Sequence, residues 1–373
     1  MHVELVEAKR RGQIRDFVAL PARIRRDHRG WVPPLRSEES RFLDSRKNLA
    51  HAYCTHVPVL AYRDGRAVGR IVGIVNHRYN EHRGEKTARF AQLECVEDRE
   101  IAQALLGYVE SWARKLEMTR IVGPLGFTDQ DPEGLLVEGF DEEPALASNQ
   151  NREYLVRFLE AAGYVKEVDY VVYRVPVPAT TPAFYRKISA RIRAQGTCSL
   201  LEFESRRALK RHIHPILQLM NETFRDLPGY SRLDDAEIRD LARRFLPIID
   251  PRFVKIVTAG GDVVGFIIGI PNFNDGLRRA NGRLFPFGWL AILRAAKRSR
   301  RLDLLLGGIS EAHRGRGLDV LLGEAMIDSA REAGFTHLDS HHELESNYRM
   351  RREMERLGGT VYKRYRVFAK PLT

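Results

Sequence analysis

Two groups of residues in this sequence could do chemistry. The first is Arg314-Gly315-Arg316-Gly317, a turn set between an apolar run and a helical repeat. The run Leu302-Asp303-Leu304-Leu305-Leu306-Gly307-Gly308-Ile309 reads as a buried strand. Beyond the turn, Leu318, Leu321, Leu322 and Ala325 recur at helical spacing, and Gly334 stops the helix after Ala333. Glycines let backbone N–H groups approach a ligand, and a helix start carries partial positive charge. Arg314 and Arg316 add formal charge. A strand, turn and helix of this kind cradle an anion, with Ile309 and Leu318 at the margins. The turn lacks the Lys-Ser/Thr ending of a nucleotide P-loop and is not Gly-x-Gly-x-x-Gly. A tight turn with solvated arginines would use the same residues.

The second group is Asp339-Ser340-His341-His342-Glu343-Leu344-Glu345-Ser346-Asn347, at the end of the next strand candidate, His337 to His341. If that strand continues, alternation puts His341, Glu343 and Glu345 on one face and His342 on the other. Glu345 and Asn347 lead as polar catalytic candidates, with Glu343 and His341 behind them. Glu311, on the strand side of the turn, is a further candidate base. The alternative is structural: Glu345 or Asn347 caps a helix starting near Tyr348, worth ~1 kcal/mol. His341, His342, Glu343 and Glu345 also have the composition of a metal site.

The elements that must position these groups come from the whole chain. At 373 residues, two domains of ordinary size are expected. Hydrophobic content of 43% with 29% charged residues describes a soluble globular protein. No apolar run approaches the ~20 residues needed to span a bilayer. The start, Met1-His2-Val3-Glu4-Leu5, has neither signal nor transit character. Cys54, Cys95 and Cys198 lack CxxC spacing, so reduced thiols in a cytoplasmic protein are expected. A net charge of +12 points to an anionic partner without choosing it.

Pro176 to Pro182 has linker composition, which divides the chain into residues 1–178 and 179–373. Strand, helix, hairpin, strand, helix, strand, helix and strand follow in that order in each half. Arg63-Asp64-Gly65 and Gly260-Gly261 mark the two hairpins. The 21 residues from Pro124 to Pro144, rich in glycine and acids, form a connection long enough to be functional or mobile. In the first half the counterpart of the arginine–glycine turn is Leu93-Glu94-Cys95-Val96-Glu97-Asp98-Arg99-Glu100. It has no glycine and its charges are mainly acidic, so it would repel an anion. Only the second half is expected to bind one.

The turn resembles the acyl-CoA loop of the GNAT acyltransferases, whose pattern is Gln/Arg-x-x-Gly-x-Gly/Ala. Arg314 and Gly317 match, whereas Asp319 falls where that superfamily prefers Gly or Ala. Further segments resemble one narrower family, the bacterial ceramide synthase-like proteins. Among them are Trp31-Val32-Pro33-Pro34-Leu35-Arg36, Gly134-Leu135-Leu136-Val137-Glu138-Gly139-Phe140-Asp141 and Tyr362-Lys363-Arg364-Tyr365-Arg366-Val367-Phe368. Glu343-Leu344-Glu345-Ser346-Asn347 matches as well.

The resemblance implies an α/β fold: a tandem of two GNAT-like domains, each a mixed, mainly antiparallel sheet flanked by helices. The first would be a degenerate copy, and the second would hold acyl-CoA through Ile309, Arg314, Gly315, Arg316, Gly317 and Leu318. The implied reaction joins a fatty acyl group, from acyl-CoA or acyl carrier protein, to the amine of a sphingoid-type base. Its alternative is acetylation of a small amine or a protein. Such chemistry needs no metal, and no nucleic-acid-binding signature is present. The segment Asn281 to Arg301, read as a helix, places Phe285, Trp289, Ile292, Leu293 and Ala296 on one face. Arg294, Lys297, Arg298 and Arg301 lie opposite, a pattern suited to an anionic membrane interface. The expected location is cytoplasmic, with peripheral attachment at the inner membrane.

Overall fold

The computed structural model describes residues 3–28 and 30–372; Met1 and His2 of the N-terminal reading lie outside it. Strand β1 (Glu4–Glu7) and helices α1 (Arg11–Ile24) and α2 (Arg36–Phe42) lead into a hairpin of β2 (Cys54–Arg63) and β3 (Arg66–Asn76). Asp64 and Gly65 both take positive φ, 51° and 70°, the turn geometry that matches the twist of paired strands. Helix α3 (His77–Arg83), strand β4 (Thr87–Cys95), helix α4 (Arg99–Lys115) and strand β5 (Arg120–Gly123) follow. The long connection after β5 contains a short strand, β6 (Leu135–Glu138), before α5 (Glu153–Ala161) and β7 (Val165–Pro176). Ile101, Leu105 and Val109 of α4 are fully buried against one face of this sheet, each burial worth about 1.5–3 kcal/mol. Phe17 and Leu20 of α1 pack on the other face.

The second half opens with a helix the sequence reading passed over, α6 (Ala183–Gln195). Pro182 stands at its N-cap position, so the residue that closes the linker also starts the helix. Then come β8 (Ser199–Leu201), α7 (Arg206–Thr223), α8 (Asp235–Phe245), and a hairpin of β9 (Val254–Ala259) and β10 (Asp262–Pro271). Helices α9 (Asn274–Ala280) and α10 (Gly288–Arg298) precede β11 (Arg301–Ile309), α11 (Leu318–Glu332) and β12 (His337–Ser340). The chain ends with β13 (Glu343–Leu344), α12 (Tyr348–Arg356) and β14 (Thr360–Pro371).

Twelve strands lie side by side in the order β1-β2-β3-β4-β5-β14-β7-β12-β11-β10-β9-β8, with β6 on β14 and β13 on β7. The parallel pairs are β4 with β5 and β11 with β12; the rest are antiparallel. At the centre the halves exchange their last strands. β7 pairs with β12, β13 and β14, all from the second half. β14 pairs with β5, β6 and β7, all from the first.

The segment Asn281 to Arg301 corrects the single-helix reading. Asn281 ends α9 in the left-handed region and α10 begins only at Gly288. The backbone of Gly276 sits against α10, where a Cβ would lie 2.5 Å from Ile292 Cα. That contact turns Ile292 inward, leaving Trp289, Leu290 and Leu293 exposed. Arg301 belongs to β11 and is buried among acids, not on the basic helix face.

Candidate functional site

β11 and β12 pair only from Arg301↔His337 to Leu304↔Ser340. Beyond Leu304, β11 continues against β10 on its other side, so the edge it shared with β12 opens into a splay. A buried charge network fastens the closed end. Arg301 Nε lies 3.2 Å from Asp303 and 3.5 Å from Asp339. Asn272 donates to Asp303 at 2.7 Å, and the Tyr362 hydroxyl donates to Asp339 at 2.6 Å.

At the open end of β11 the six residues expected to bind the acyl donor come together on one loop. Gly315 and Gly317 take φ of 78° and 84°, values costly for any residue with a Cβ. A Cβ on Gly317 would also lie 2.9 Å from Ile188 of α6. Arg314 Nε donates to Ile309 O at 3.3 Å, while Arg316 makes no hydrogen bond or ion pair with a described residue. Leu318 is buried and anchors the first turn of α11. No side chain caps that helix, so its leading N–H groups stay available to an anion. Asp319, the departure from the GNAT pattern, is paired with Arg349 at 3.2 Å.

The equivalent point of the first half is closed. Asp98 caps α4, its carboxylate accepting from Glu100 N at 2.9 Å and pairing with Arg63 at 2.5 Å. A protein carboxylate there already occupies the position an incoming anion would take.

The polar candidates after β12 separate into two environments. The strand does not continue past Ser340, so the alternation expected for His341 to Glu345 is lost. Ser340 Oγ accepts from Tyr173 N and donates to His341 O, both at 2.9 Å, drawing the chain onto β7. His341 and His342 stack on each other, ring centres 4.7 Å apart, instead of facing opposite ways. Their Nε2 atoms lie 3.1 Å from Leu146 O and 3.2 Å from Ser148 Oγ, and burial pushes both imidazoles toward the neutral form. Burial likewise raises the Glu343 carboxyl to about 7, opposed only by Asn347 at 3.5 Å.

The other candidates are engaged elsewhere. Glu345 forms ion pairs with Lys166 and Arg364. Asn347 caps α12, accepting from Met350 N at 3.3 Å. Glu311 is exposed and pairs with Arg225 at 3.4 Å. Among the described residues, no group of three or more His, Cys, Asp or Glu is arranged to hold a metal ion.

The structure adds residues the sequence reading missed. Asp129, Asp131 and Glu133, spaced two apart in the Pro124–Pro144 connection, are half-buried and lie within electrostatic reach of Arg89. Arg89 is itself buried, donating to Gly126 O, Phe127 O and Gly229 O. Burial raises Asp129 to about 7, Asp131 to about 6 and Glu133 to about 8. The Tyr170 hydroxyl faces Glu133, and the Tyr170 ring stacks on His342 at 5.5 Å. A chain of polar groups thus runs from the long loop of the first half to the end of β12. The length and acidic spacing of that loop were its signal in the sequence.

No protein-family model matches the chain. It is 28% identical over 379 aligned positions to the bacterial ceramide synthase of Caulobacter vibrioides (strain NA1000 / CB15N), covering 99% of this chain and 98% of that protein. It is 26% identical over 372 positions to Protein YghO of Escherichia coli (strain K12), covering 97% and 94%. In structure it resembles a tandem GNAT protein from the clavulanic acid biosynthesis pathway, with TM-score 0.55, 14% identity, and coverage of 100% and 99%. A GCN5-related N-acetyltransferase from Sphaerobacter thermophilus gives TM-score 0.51 and 12% identity, covering 99% and 96%. The chain carries a tandem GNAT fold and is ceramide synthase-like in sequence. Both expectations drawn from the residue patterns therefore hold. In the fold seen here, the uncapped helix start belongs to the second repeat and the capped one to the first.

Proposed function

We propose that this GNAT-fold chain is an N-acyltransferase that joins a fatty acyl group to the amine of a sphingoid-type long-chain base, giving a ceramide-like amide. The donor is acyl-CoA or an acyl carrier protein, and the partner surface is an anionic membrane that holds the long-chain base. In this reading residues 1–178 form the half without a donor loop, and 179–373 form the half that binds the donor. The observation that carries it is the contrast between two equivalent helix starts: α11, uncapped behind Gly315 and Gly317, and α4, capped by Asp98.

The thioester supplies an activated carbonyl and a thiol leaving group. The chain's residues do the rest. The α11 N–H groups, Arg314 and Arg316 hold the donor's phosphates, and the splay beyond Leu304 aligns its pantetheine arm with the open edge of β11. Glu343 takes a proton from the incoming ammonium, because its carboxyl titrates near neutrality. His341 and His342, neutral and fixed by Leu146 and Ser148, keep that side of the site uncharged. Glu345, Asn347 and Glu311 serve from the rim, fixing the β13–α12 corner and the donor loop. Asp129 and Glu133 line the acceptor side, where a cationic amine meets carboxyl groups that titrate near neutrality.

The test is incubation with acyl-CoAs of graded length and with long-chain, short-chain and peptide amines, read by product mass. A long-chain amide is expected. Exclusive acetylation of a small amine or protein would replace this reading with the conventional acetyltransferase one.

A further inference from the structure

The region of α9 and α10 lies at the end of β11 opposite the donor loop. Nine residues of strand separate them, roughly 26 Å, so whatever binds there is not the donor's pyrophosphate. Two features meet at this end. The first is a concentration of exposed apolar side chains. Phe285 is 80% exposed, Phe287 72%, Leu293 49%, Trp289 44% and Leu290 39%. These five, within nine residues, are half of the ten large hydrophobic side chains exposed among the described residues. No residue of α10 is buried. Its inner side rests on α9 and its outer side faces solvent.

The second feature is a cleft of about 260 Å³ beside that apolar strip. Arg279, Arg294, Arg298 and Arg300 line it, together with Glu143, Asp275 and His337. None of the four arginine side chains makes a hydrogen bond or ion pair with a described residue. The two acids on the cleft wall are paired with other arginines: Glu143 with Arg278 and Arg301, and Asp275 with Arg278. The arginines on the cleft wall outnumber its two acids, which leaves the cleft net positive. A guanidinium fork suits a phosphate oxygen pair.

We infer that this end of the molecule docks on a bilayer containing anionic phospholipid. Phe285, Phe287, Trp289 and Leu293 enter the acyl boundary, and the arginine cleft grips a headgroup phosphodiester. The inference rests on the membrane partner of the proposed function and assigns it a surface. It does not depend on the acyl-transfer chemistry. Charge complementarity chooses the occupant: a second copy of this +12 chain would bring like charge to the cleft. The aromatic strip beside the cleft suits the boundary between headgroup and acyl chain.

The experiment is flotation of the full chain with vesicles of phosphatidylcholine alone and of phosphatidylcholine with phosphatidylglycerol. Glycerol phosphate serves as a soluble competitor. The wild type floats with the anionic vesicles, less at high salt, and Trp289 emission shifts to the blue. Arg279→Ser/Arg294→Ser/Arg298→Ser/Arg300→Ser lowers the partition coefficient about tenfold or more. Phe285→Ser/Phe287→Ser/Leu293→Ser abolishes the blue shift. Both variants keep acyl transfer to a short soluble amine, which separates this test from the proposed function. Three results overturn the inference: a wild type that does not float, an arginine variant that floats as well as wild type, and flotation equal on neutral vesicles. A dimer broken by the apolar variant, without flotation, assigns the face to a second copy and overturns it too.

Discussion

At the scale of single residues, local environment separates the candidate side chains. Glu343 and Glu345 are two positions apart, yet desolvation raises one to about 7 while the other is held by Lys166 and Arg364. Sequence spacing put Glu345 ahead of Glu343, because it cannot report that the strand breaks at Ser340. Glu343→Gln should lower kcat by roughly 10²–10⁴-fold while leaving donor affinity unchanged. In the wild type, kcat should climb with pH and level off above about 7. The variant should lose that inflection. An unaltered pH profile in Glu343→Gln would remove Glu343 from the base role. The acids of the long loop make a separate prediction about stability. Their native pKa values lie above the ordinary 3.8 of Asp and 4.5 of Glu, reaching about 7, 6 and 8. The folded chain therefore keeps protons that the unfolded chain releases. Their contribution is complete below about pH 4 and is lost as pH rises toward 8. Asp129→Asn/Glu133→Gln should flatten that decline, measured as the urea midpoint between pH 5 and 8. The sequence marked the loop by its length and its acids but not its fold, because Arg89, which holds Gly126 and Phe127 of that loop, lies far off on β4.

At the scale of elements, hairpins and long helices were legible because their signals are local. Asp64-Gly65 and Gly260-Gly261 needed positive φ and took it. The four-residue spacing of Ile101, Leu105 and Val109 named the buried face of α4 correctly. The α9–α10 segment was not legible in this way. Its helix starts late, and the contact of Gly276 with Ile292 sets which side faces out. The donor loop offers the clearest test at this scale. Gly317→Val adds both left-handed strain and a clash with Ile188, so acyl-CoA affinity should fall roughly tenfold or more. Arg314→Glu/Arg316→Glu should weaken it through charge instead, and more strongly at low salt. Calorimetry would read both variants, along with the wild-type stoichiometry, which should be one donor per chain because Asp98 occupies the other helix start. Two donors per chain would mean that the first loop opens.

At the scale of the whole molecule, the two repeats are joined by more than their linker. The sequence displayed the repeat order and placed a boundary at Pro176 to Pro182, but strand exchange leaves no local mark. Which strand lies beside β5 is settled by a residue range at the far end of the chain. β7 has no first-half neighbour and β14 no second-half neighbour. A fragment of residues 1–178 would leave β7 unpaired and strip β5 and β6 of their partner strand. A fragment of residues 179–373 would leave β14 unpaired and expose the edge of β12. Each long strand left so contributes a row of unsatisfied backbone groups and uncovered apolar residues, such as Val171, Val172 and Tyr365. Neither fragment should fold cooperatively alone. Mixed from denaturant in equal amounts, they should reassemble into one particle with the circular dichroism of the intact chain and a donor-binding site. Size-exclusion chromatography and thermal melting of each fragment, alone and mixed, would check this. A cooperative melt from the isolated 179–373 fragment, with donor affinity intact, would mean that the exchanged strand is an accessory to the second repeat and not part of its fold.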